Sequence, residues 1–191
     1  FDKPVNRRGT LSVKWDVAGN ELPMWVADMD FETAPEIRDA IQKRAGHGAF
    51  GYTLIPDEWY ESIQNWWETR HQFRIEKDWL IFCTGVVPAI SSAVRKLTTP
   101  AEKVVLLTPV YNIFFNSVVN NGRYVVECPL SYDGECYDVD FEALEEVLSD
   151  PQTTMLIFCN PHNPVGKIWT RETMERIGEL CWKYHVVVIS D

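Results

Sequence analysis

The sequence predicts an α/β protein with a mostly parallel β-sheet that is covered by helices. From residue 79 onward, short apolar runs alternate with segments of helical periodicity, as in chains that build parallel sheets from strand–helix units. The runs "VVLL" (104–107) and "MLIF" (155–158) lack polar residues, which is typical of strands buried on both faces. The predicted strands are 79–83, 103–107, 123–128, 153–158 and 186–190, and the predicted helices are 86–97, 111–120, 140–148 and 171–184.

The first 78 residues follow a different pattern. Residues 1–34 are loop-like, a helix is predicted over 35–45, and a second helix is predicted over 57–72. One face of this second helix carries apolar residues at helical spacing, for which packing in a core is the favoured interpretation. These residues are Trp59, Ile63, Trp66 and Trp67.

Composition limits the classes of function. The 191 residues suffice for one domain or one and a half, and the net charge of −10 argues against nucleic acid or an anionic membrane as a partner. No apolar run reaches the roughly 18 residues of a membrane span. The five cysteines are odd in number and form no C-x-x-C pair, which favours a reducing, cytoplasmic compartment without a disulfide framework. The four histidines lack the spacing of metal ligands, so no metal site is expected.

Unusual segments follow four of the predicted strands. Sheets of this kind bind ligands at the carboxyl ends of their strands, so these segments are expected to meet at one edge. Four such segments at one edge predict a binding site, whereas one alone would mean little. They are "TGVVPAIS" (84–91), "TPVYNIFF" (108–115), "CNPHNPVG" (159–166) and Ser190–Asp191.

Gly85 stands between a predicted strand and a predicted helix. The backbone N–H groups of Gly85, Val86 and Val87 could bind an anion at the helix N-terminus. The segment is neither a Walker loop nor a G-x-G-x-x-G fingerprint. Taken by itself, it is more often a tight turn between a strand and a helix.

The other three segments offer an aromatic ring, an amide and a carboxylate. Tyr111 could stack on a flat ligand or simply pack in the core. Asn163, between two prolines, could recognise a ligand hydroxyl or phenolate or serve as a turn residue. For His162 a structural hydrogen bond is favoured over catalysis. Asp191 at the end of an apolar strand could meet a protonated ligand nitrogen or cap a turn.

This combination resembles the cofactor site of fold-type I pyridoxal phosphate enzymes, and the motifs are similar to those of the MalY/PatB-type cystathionine β-lyase (C–S lyase) subgroup. The segment "NPHNPVG" alone indicates a class I/II aminotransferase, whereas "WVADMDF" and "GVVPAIS" narrow the resemblance to the lyases. The matching segments run through the whole chain in family order. They are "RRGT…KWD" (7–16), "WVADMDF" (25–31), "FGYT" (50–53), "GVVPAIS" (85–91), "TPVY..FF" (108–115), "NPHNPVG" (160–166) and "SD" (190–191).

The resemblance implies pyridoxal 5'-phosphate as the cofactor and assigns each residue a role. Gly85, Val86 and Val87 would hold the phosphate, Tyr111 would stack on the pyridine ring, and Asn163 would hydrogen-bond the ring 3-oxygen. Asp191 would pair with the pyridinium nitrogen. Tyr52 would reach the cofactor phosphate of a neighbouring subunit, which implies a homodimer. Val26 and Ala27 would line the substrate side of the site.

The resemblance also implies an organisation for the whole enzyme. Residues 1–34 would belong to a small domain and residues 35–191 to the cofactor-binding large domain. The lysine that carries the cofactor and the arginine that grips the substrate carboxylate would lie beyond Asp191, so this chain is expected to be the N-terminal half and to be inactive alone. Two further strands would also lie there, so strand 79–83 would lack a neighbour.

The implied reaction is β-elimination from cystathionine, cysteine or a related S-conjugate to pyruvate, ammonia and a thiol. An aminotransferase on the same fold is the alternative within the enzyme class, and a regulatory or binding protein that retains the fold is the alternative outside it. Asn112 stands where some relatives carry a second tyrosine, and Lys167 where arginine is common. Both departures concern substrate preference more than reaction type.

Overall fold

The computed structural model describes residue 3 and residues 5–17 and 19–191. Residues 1, 2, 4 and 18, which belong to the predicted loop-like and small-domain segment 1–34, lie outside the described residues. The chain divides into two compact units, Phe1–Pro56 and Asp57–Asp191. The division predicted after residue 34 concerns the domains of a whole enzyme and stays a prediction.

The described residues of the first unit form two helices. Helix α1 (Val13–Asp16) was not predicted; it begins where the Ser12 side chain accepts a hydrogen bond from the Trp15 N–H, an N-cap. Helix α2 (Pro35–Gly46) matches the predicted helix 35–45 and opens with proline in its first turn, where the missing N–H costs nothing. No residue of α2 is buried.

The second unit opens with helix α3 (Asp57–His71), close to the predicted 57–72. The prediction that its apolar face packs in a core is wrong for this chain, because α3 buries no residue and Trp66 is 55% exposed. The strand predicted over 79–83 is also absent. Lys77–Trp79 form a 3₁₀ turn, and residues 80–83 pair with no strand of the described chain, so their hydrophobicity alone does not make them a strand.

Four parallel strands form the sheet, and a small antiparallel hairpin stands apart from it. The strands are β1 (Lys103–Thr108), β2 (Tyr124–Pro129), β3 (Ser131–Tyr132), β4 (Tyr137–Asp138), β5 (Thr153–Phe158) and β6 (Val187–Ser190). The sheet order is β2-β1-β5-β6, with every neighbouring pair parallel, as the α/β prediction requires. The hairpin β3–β4 was not predicted.

Four helices cover the sheet. They are α4 (Val86–Leu97), α5 (Ile113–Val119), α6 (Phe141–Leu148) and α7 (Arg171–Lys183). Each corresponds to a predicted helix, although α5 begins two residues late. Helices α6 and α7 start at side-chain caps: Asp140 accepts from the N–H groups of Glu142 and Ala143, and Thr170 accepts from Thr173.

Alternate residues of the central strands point to opposite faces, which produces two apolar clusters. On one face, strand residues pack with Ile90 and Val94 of α4 and with α5. On the other face, strand residues pack with α6 and with Ile177 and Cys181 of α7. The residues of the first face are Val104, Leu106, Met155 and Ile157, and those of the second are Val105, Leu107, Leu156 and Phe158. The result is a three-layer α/β/α arrangement.

Buried Arg123 fixes the direction of α4. It precedes β2, and its guanidinium donates to the Thr98 hydroxyl (Nε···Oγ1 2.8 Å) and to the carbonyls of Arg95 (3.2 Å) and Thr98 at the C-terminus of α4. The C-terminus of α4 therefore lies at the amino end of β2. A helix of 12 residues spans about 18 Å, so its N-terminus at Gly85 lies toward the carboxyl ends of the strands.

Within the part of the chain that the structure describes, no helix has both the length and the apolar character needed to cross a bilayer.

Candidate active site

The carboxyl edge of the sheet brings three chain segments together. Strands β5 and β6 end side by side, and the chain beyond them stays hydrogen-bonded: the Asp191 N–H donates to the Phe158 carbonyl, and the Asn160 N–H donates to the Asp191 carbonyl, both at 2.8 Å. Strand β1 lies on the other side of β5. The segments after β1, β5 and β6 therefore meet at one edge, as the sequence predicts.

The segment 159–166 is a compact loop built around His162. This side chain is 1% exposed, and its Nε2 lies 2.9 Å from the Pro109 carbonyl, which can only accept, so Nε2 carries the proton. The His162 N–H donates to the Lys167 carbonyl (2.7 Å), and the Gly166 N–H donates to the His162 carbonyl (2.6 Å). His162 thus ties the loop after β5 to the segment after β1, in the structural role favoured for it.

Asn163 and Asp191 present exposed polar side chains at this edge. Asn163 lies on the loop that His162 anchors, and its backbone N–H is 3.4 Å from the Cys159 sulfur. Asp191 continues β6, and its Oδ2 is 3.8 Å from the same sulfur. The backbone of Asn163 and the carboxylate of Asp191 therefore both lie against the Cys159 sulfur, and both residues are exposed to solvent.

The N-terminus of α4 offers free N–H donors. Gly85 adopts φ 157° and ψ 165°, a region that is essentially restricted to glycine, and no side chain caps the helix. The N–H groups of Val86 and Val87 have no partner within the helix, and Pro88 has no N–H to offer. Unpaired donors at a helix N-terminus are compatible with the anion binding that the sequence suggests, which stays a prediction.

Tyr111 lies in the segment between β1 and α5. Its ring is 38% exposed and meets Phe114 edge to face, with the ring centroids 5.6 Å apart. The ring is therefore held on one side by Phe114 and remains partly exposed, which is compatible with stacking on a flat ligand.

The site residues predicted in the first unit have a separate environment. Tyr52 is fully exposed, Val26 is partly buried and Ala27 is exposed.

A charged network organises the first unit around Asp30. Its carboxylate accepts from Lys14 (2.8 Å), from the Trp15 indole (2.6 Å) and from Arg7 (2.9 Å). Arg7 also pairs with Asp28 at 2.5 Å. The Lys14 and Trp15 hydrogen bonds hold the pKa of Asp30 down at about 2. The motifs "RRGT…KWD" and "WVADMDF" therefore bind each other.

Two roles were not foreseen from the sequence. Nothing in the sequence assigns a polar role to Cys159, yet its thiol has three polar partners. The Asp30 network was missed because its donors lie 15 to 23 residues away along the chain. The signal available was the presence of the acidic "ADMD" and of the oppositely charged Arg7, Arg8 and Lys14 in the same N-terminal part of the chain.

The sequence profile described as "Aminotransferase class I and II" matches residues 22–191. The chain belongs to this family. The fold is accordingly that of the pyridoxal phosphate-dependent aminotransferases, with the parallel sheet and covering helices described above.

Two curated relatives carry the names that the motif resemblance suggested. Cystathionine beta-lyase PatB of Bacillus subtilis (strain 168) is 44% identical over 197 residues, which cover 100% of this chain and 51% of that protein. Protein MalY of Escherichia coli (strain K12) is 34% identical over 198 residues, which cover 100% of this chain and 51% of that protein. The chain spans about half the length of these relatives.

A solved structure agrees with them. Cystalysin from Treponema denticola, whose crystal structure contains a pyridoxal 5'-phosphate cofactor, superposes with a TM-score of 0.92 at 36% identity. The match covers 99% of this chain and 50% of cystalysin. The predicted fold and the predicted resemblance to the C–S lyase subgroup are therefore confirmed.

Proposed function

We propose that the protein carrying this chain is a pyridoxal phosphate-dependent carbon–sulfur β-lyase. It would cleave cystathionine, cysteine or a related cysteine S-conjugate to pyruvate, ammonia and a thiol. The observation that carries the proposal is the joining of the Asn163 loop and Asp191 at the ends of β5 and β6. The 44% identity with a cystathionine beta-lyase supports the lyase reaction over transamination.

The donor set at the sheet edge fits the chemistry of pyridoxal phosphate. The Asp191 carboxylate is exposed and would hold a proton at the ring nitrogen. The Asn163 amide can donate to the ring 3-oxygen, and the hydrogen bonds of His162 keep the Asn163 loop in place. When bound, the cofactor supplies an electron sink for the charge that develops at the substrate α-carbon.

The phosphate would lie at the N-terminus of α4. The N–H groups of Gly85, Val86 and Val87 have no hydrogen-bond partner within helix α4. The helix dipole would stabilise an anion at this position by about 0.3–1 kcal/mol. The ring of Tyr111 would stack on the pyridine ring and exclude water from one of its faces.

The remaining assignments extend to the whole enzyme. Tyr52 would contact the cofactor phosphate of a neighbouring subunit in a homodimer, and Val26 and Ala27 would line the substrate side near its α-carboxylate. Residues 1–34 would join the small domain and residues 35–191 the large domain. The lysine that anchors the cofactor is expected beyond this chain, which would then be inactive alone. Free thiols on all five cysteines are compatible with the proposed cytoplasmic location.

The reaction is tested by incubating the full-length protein with pyridoxal phosphate and cystathionine. We expect pyruvate to form in step with a free thiol. Transfer of the amino group to a keto acid without pyruvate would make the protein an aminotransferase instead. A protein that neither turns yellow with the cofactor nor reacts would favour a regulatory or binding role.

The role of Asp191 is tested by Asp191→Asn. The amide cannot hold the ring nitrogen protonated, so turnover should fall by about 10²–10³-fold while the fold is retained, the loss typical of one preorganised electrostatic group. Asp133→Asn is the matched control, since Asp133 lies in the β3–β4 turn and an amide oxygen can still accept from Glu135 and Cys136. Near-normal turnover in Asp191→Asn would contradict the assignment.

A further inference from the structure

We infer that Cys159 is a positioning residue that fixes the Asn163 loop relative to the Asp191 carboxylate. The inference rests on the proposed function, because it explains how two side chains assigned to the cofactor keep a defined separation.

The Cys159 thiol lies between the two segments it would connect. Its sulfur accepts from the Asn163 N–H (N···S 3.4 Å), and it lies 3.4 Å from the Pro161 carbonyl and 3.8 Å from Oδ2 of Asp191. These distances are within the range of hydrogen bonds to sulfur. The thiol thus makes polar contact with the loop that carries Asn163 and with Asp191, the residue that follows β6.

The backbone of Cys159 cannot move freely. Its carbonyl accepts a hydrogen bond from the indole of buried Trp169 (Nε1···O 3.0 Å), and Cys159 itself is 2% exposed. A buried side chain on an anchored backbone has few alternative rotamers, since the surrounding core is close-packed. The direction of the sulfur is therefore set by the fold.

The thiol is suited to donate its proton and unsuited to act as a nucleophile. Burial raises the pKa of Cys159, and the Asp191 charge adds to this effect against the opposing Asn163 N–H. The thiol therefore stays protonated at neutral pH. Its single hydrogen can point at the Pro161 carbonyl or at the Asp191 carboxylate, and the charged acceptor makes the stronger bond.

Two other buried cysteines show that burial alone does not explain these contacts. Cys128 is 1% exposed and Cys181 is 2% exposed, and both lie in the apolar cluster between the sheet and helices α6 and α7. Among the described residues, Cys159 is the buried cysteine whose sulfur has hydrogen-bond partners. Cys181 is thus a matched control for a change in volume and polarity without the proposed role.

The test measures cofactor binding by the full-length apoprotein. Cys159→Ala removes the sulfur, so we expect the Kd for pyridoxal phosphate, followed by visible absorption, to rise about fivefold, as for the loss of one modest hydrogen bond. Cys159→Ser keeps a donor and an acceptor and should recover part of the affinity. Cys181→Ala should bind the cofactor like the parent protein. Urea unfolding of each apoprotein reports stability separately.

The outcomes separate this inference from the proposed function. A parent protein that does not bind pyridoxal phosphate contradicts the proposed function itself. A parent that binds, with Cys159→Ala binding equally well, overturns only the positioning role. Equal losses of affinity in the Ala and Ser variants, in proportion to equal losses of stability, would make Cys159 a packing residue and also overturn it. If Cys159→Ala does not fold, Cys159→Ser is compared with Cys181→Ser, the corresponding control. An equal Kd for pyridoxal phosphate in the two variants contradicts the positioning role. A higher Kd in Cys159→Ser at equal stability supports it.

Discussion

Helices α3 and α7 have similar lengths and belong to the same unit, yet they differ in burial. Helix α7 places Ile177 and Cys181 at 2% exposure against the sheet. Helix α3 carries more aromatic surface and buries none of its residues. The comparison shows that an amphipathic pattern determines where a helix forms and which face is apolar, whereas burial requires a complementary surface within the same folded unit.

The largest expected effect is the removal of a side chain that α7 buries. Ile177→Ala should lower the free energy of unfolding by about 2–5 kcal/mol, because it removes apolar contacts and leaves a cavity. Trp66→Ala on α3 should cost less than about 1 kcal/mol despite the larger side chain, because 55% of that side chain's surface is already in water. Urea unfolding measures both. Equal costs would mean that α3 is packed after all.

Removal of a buried charge from the sheet region should lower the free energy of unfolding almost as much as Ile177→Ala does. Arg123→Met leaves the Thr98 hydroxyl and the carbonyls at the end of α4 without their donor, so we expect a loss of about 1–3 kcal/mol. Arg74→Met is the control, since Arg74 is 79% exposed and pairs only with Glu76 at 3.4 Å. If both variants unfold at the same urea concentration as the parent, the guanidinium does not hold α4 in place.

The sequence predicted the sheet region better than the rest of the fold. The strands from Lys103 onward and helices α4 to α7 lie where periodicity placed them, because the strand and helix partners that bury them are present in the described chain. The strand at 79–83 failed because a strand exists only through its hydrogen-bonded partners. The hairpin β3–β4 was missed because its strands have two residues each, although Asp133–Gly134 is a recognised turn signal.

For the candidate site, the sequence predicted which segments would meet and not how they are held. Parallel strands share a carboxyl edge, so the meeting of Asn163 and Asp191 followed from topology. The anchor of His162 on Pro109 spans 53 positions, and the contact of Cys159 with Asp191 spans 32. Such contacts depend on side-chain directions within the packed fold, which local periodicity does not contain.

Acid should lower the stability of the first unit through the protonation of Asp30. The folded pKa of Asp30, about 2, lies below its ordinary value of 3.8, so its stabilising effect is complete above that ordinary value and is lost as the pH falls through 2. Asp30→Asn should destabilise the first unit at neutral pH and flatten its stability between pH 4 and 2. Circular dichroism during acid titration measures this, with exposed Glu36→Gln as the control. An unchanged acid profile in Asp30→Asn would contradict the role of the network.

The smallest effect is expected on the solvent side of α7, where burial is absent as it is on α3. Arg171 pairs with Glu175 four residues later at 2.8 Å, but the Arg171 side chain is 83% exposed. Water and salt screen such a pair, so Arg171→Ala should change the free energy of unfolding by less than about 0.5 kcal/mol. Urea unfolding at low and high salt measures the change. A loss as large as that of Ile177→Ala would show that exposure does not govern stability on this helix, and the contrast between α3 and α7 would then need a different explanation.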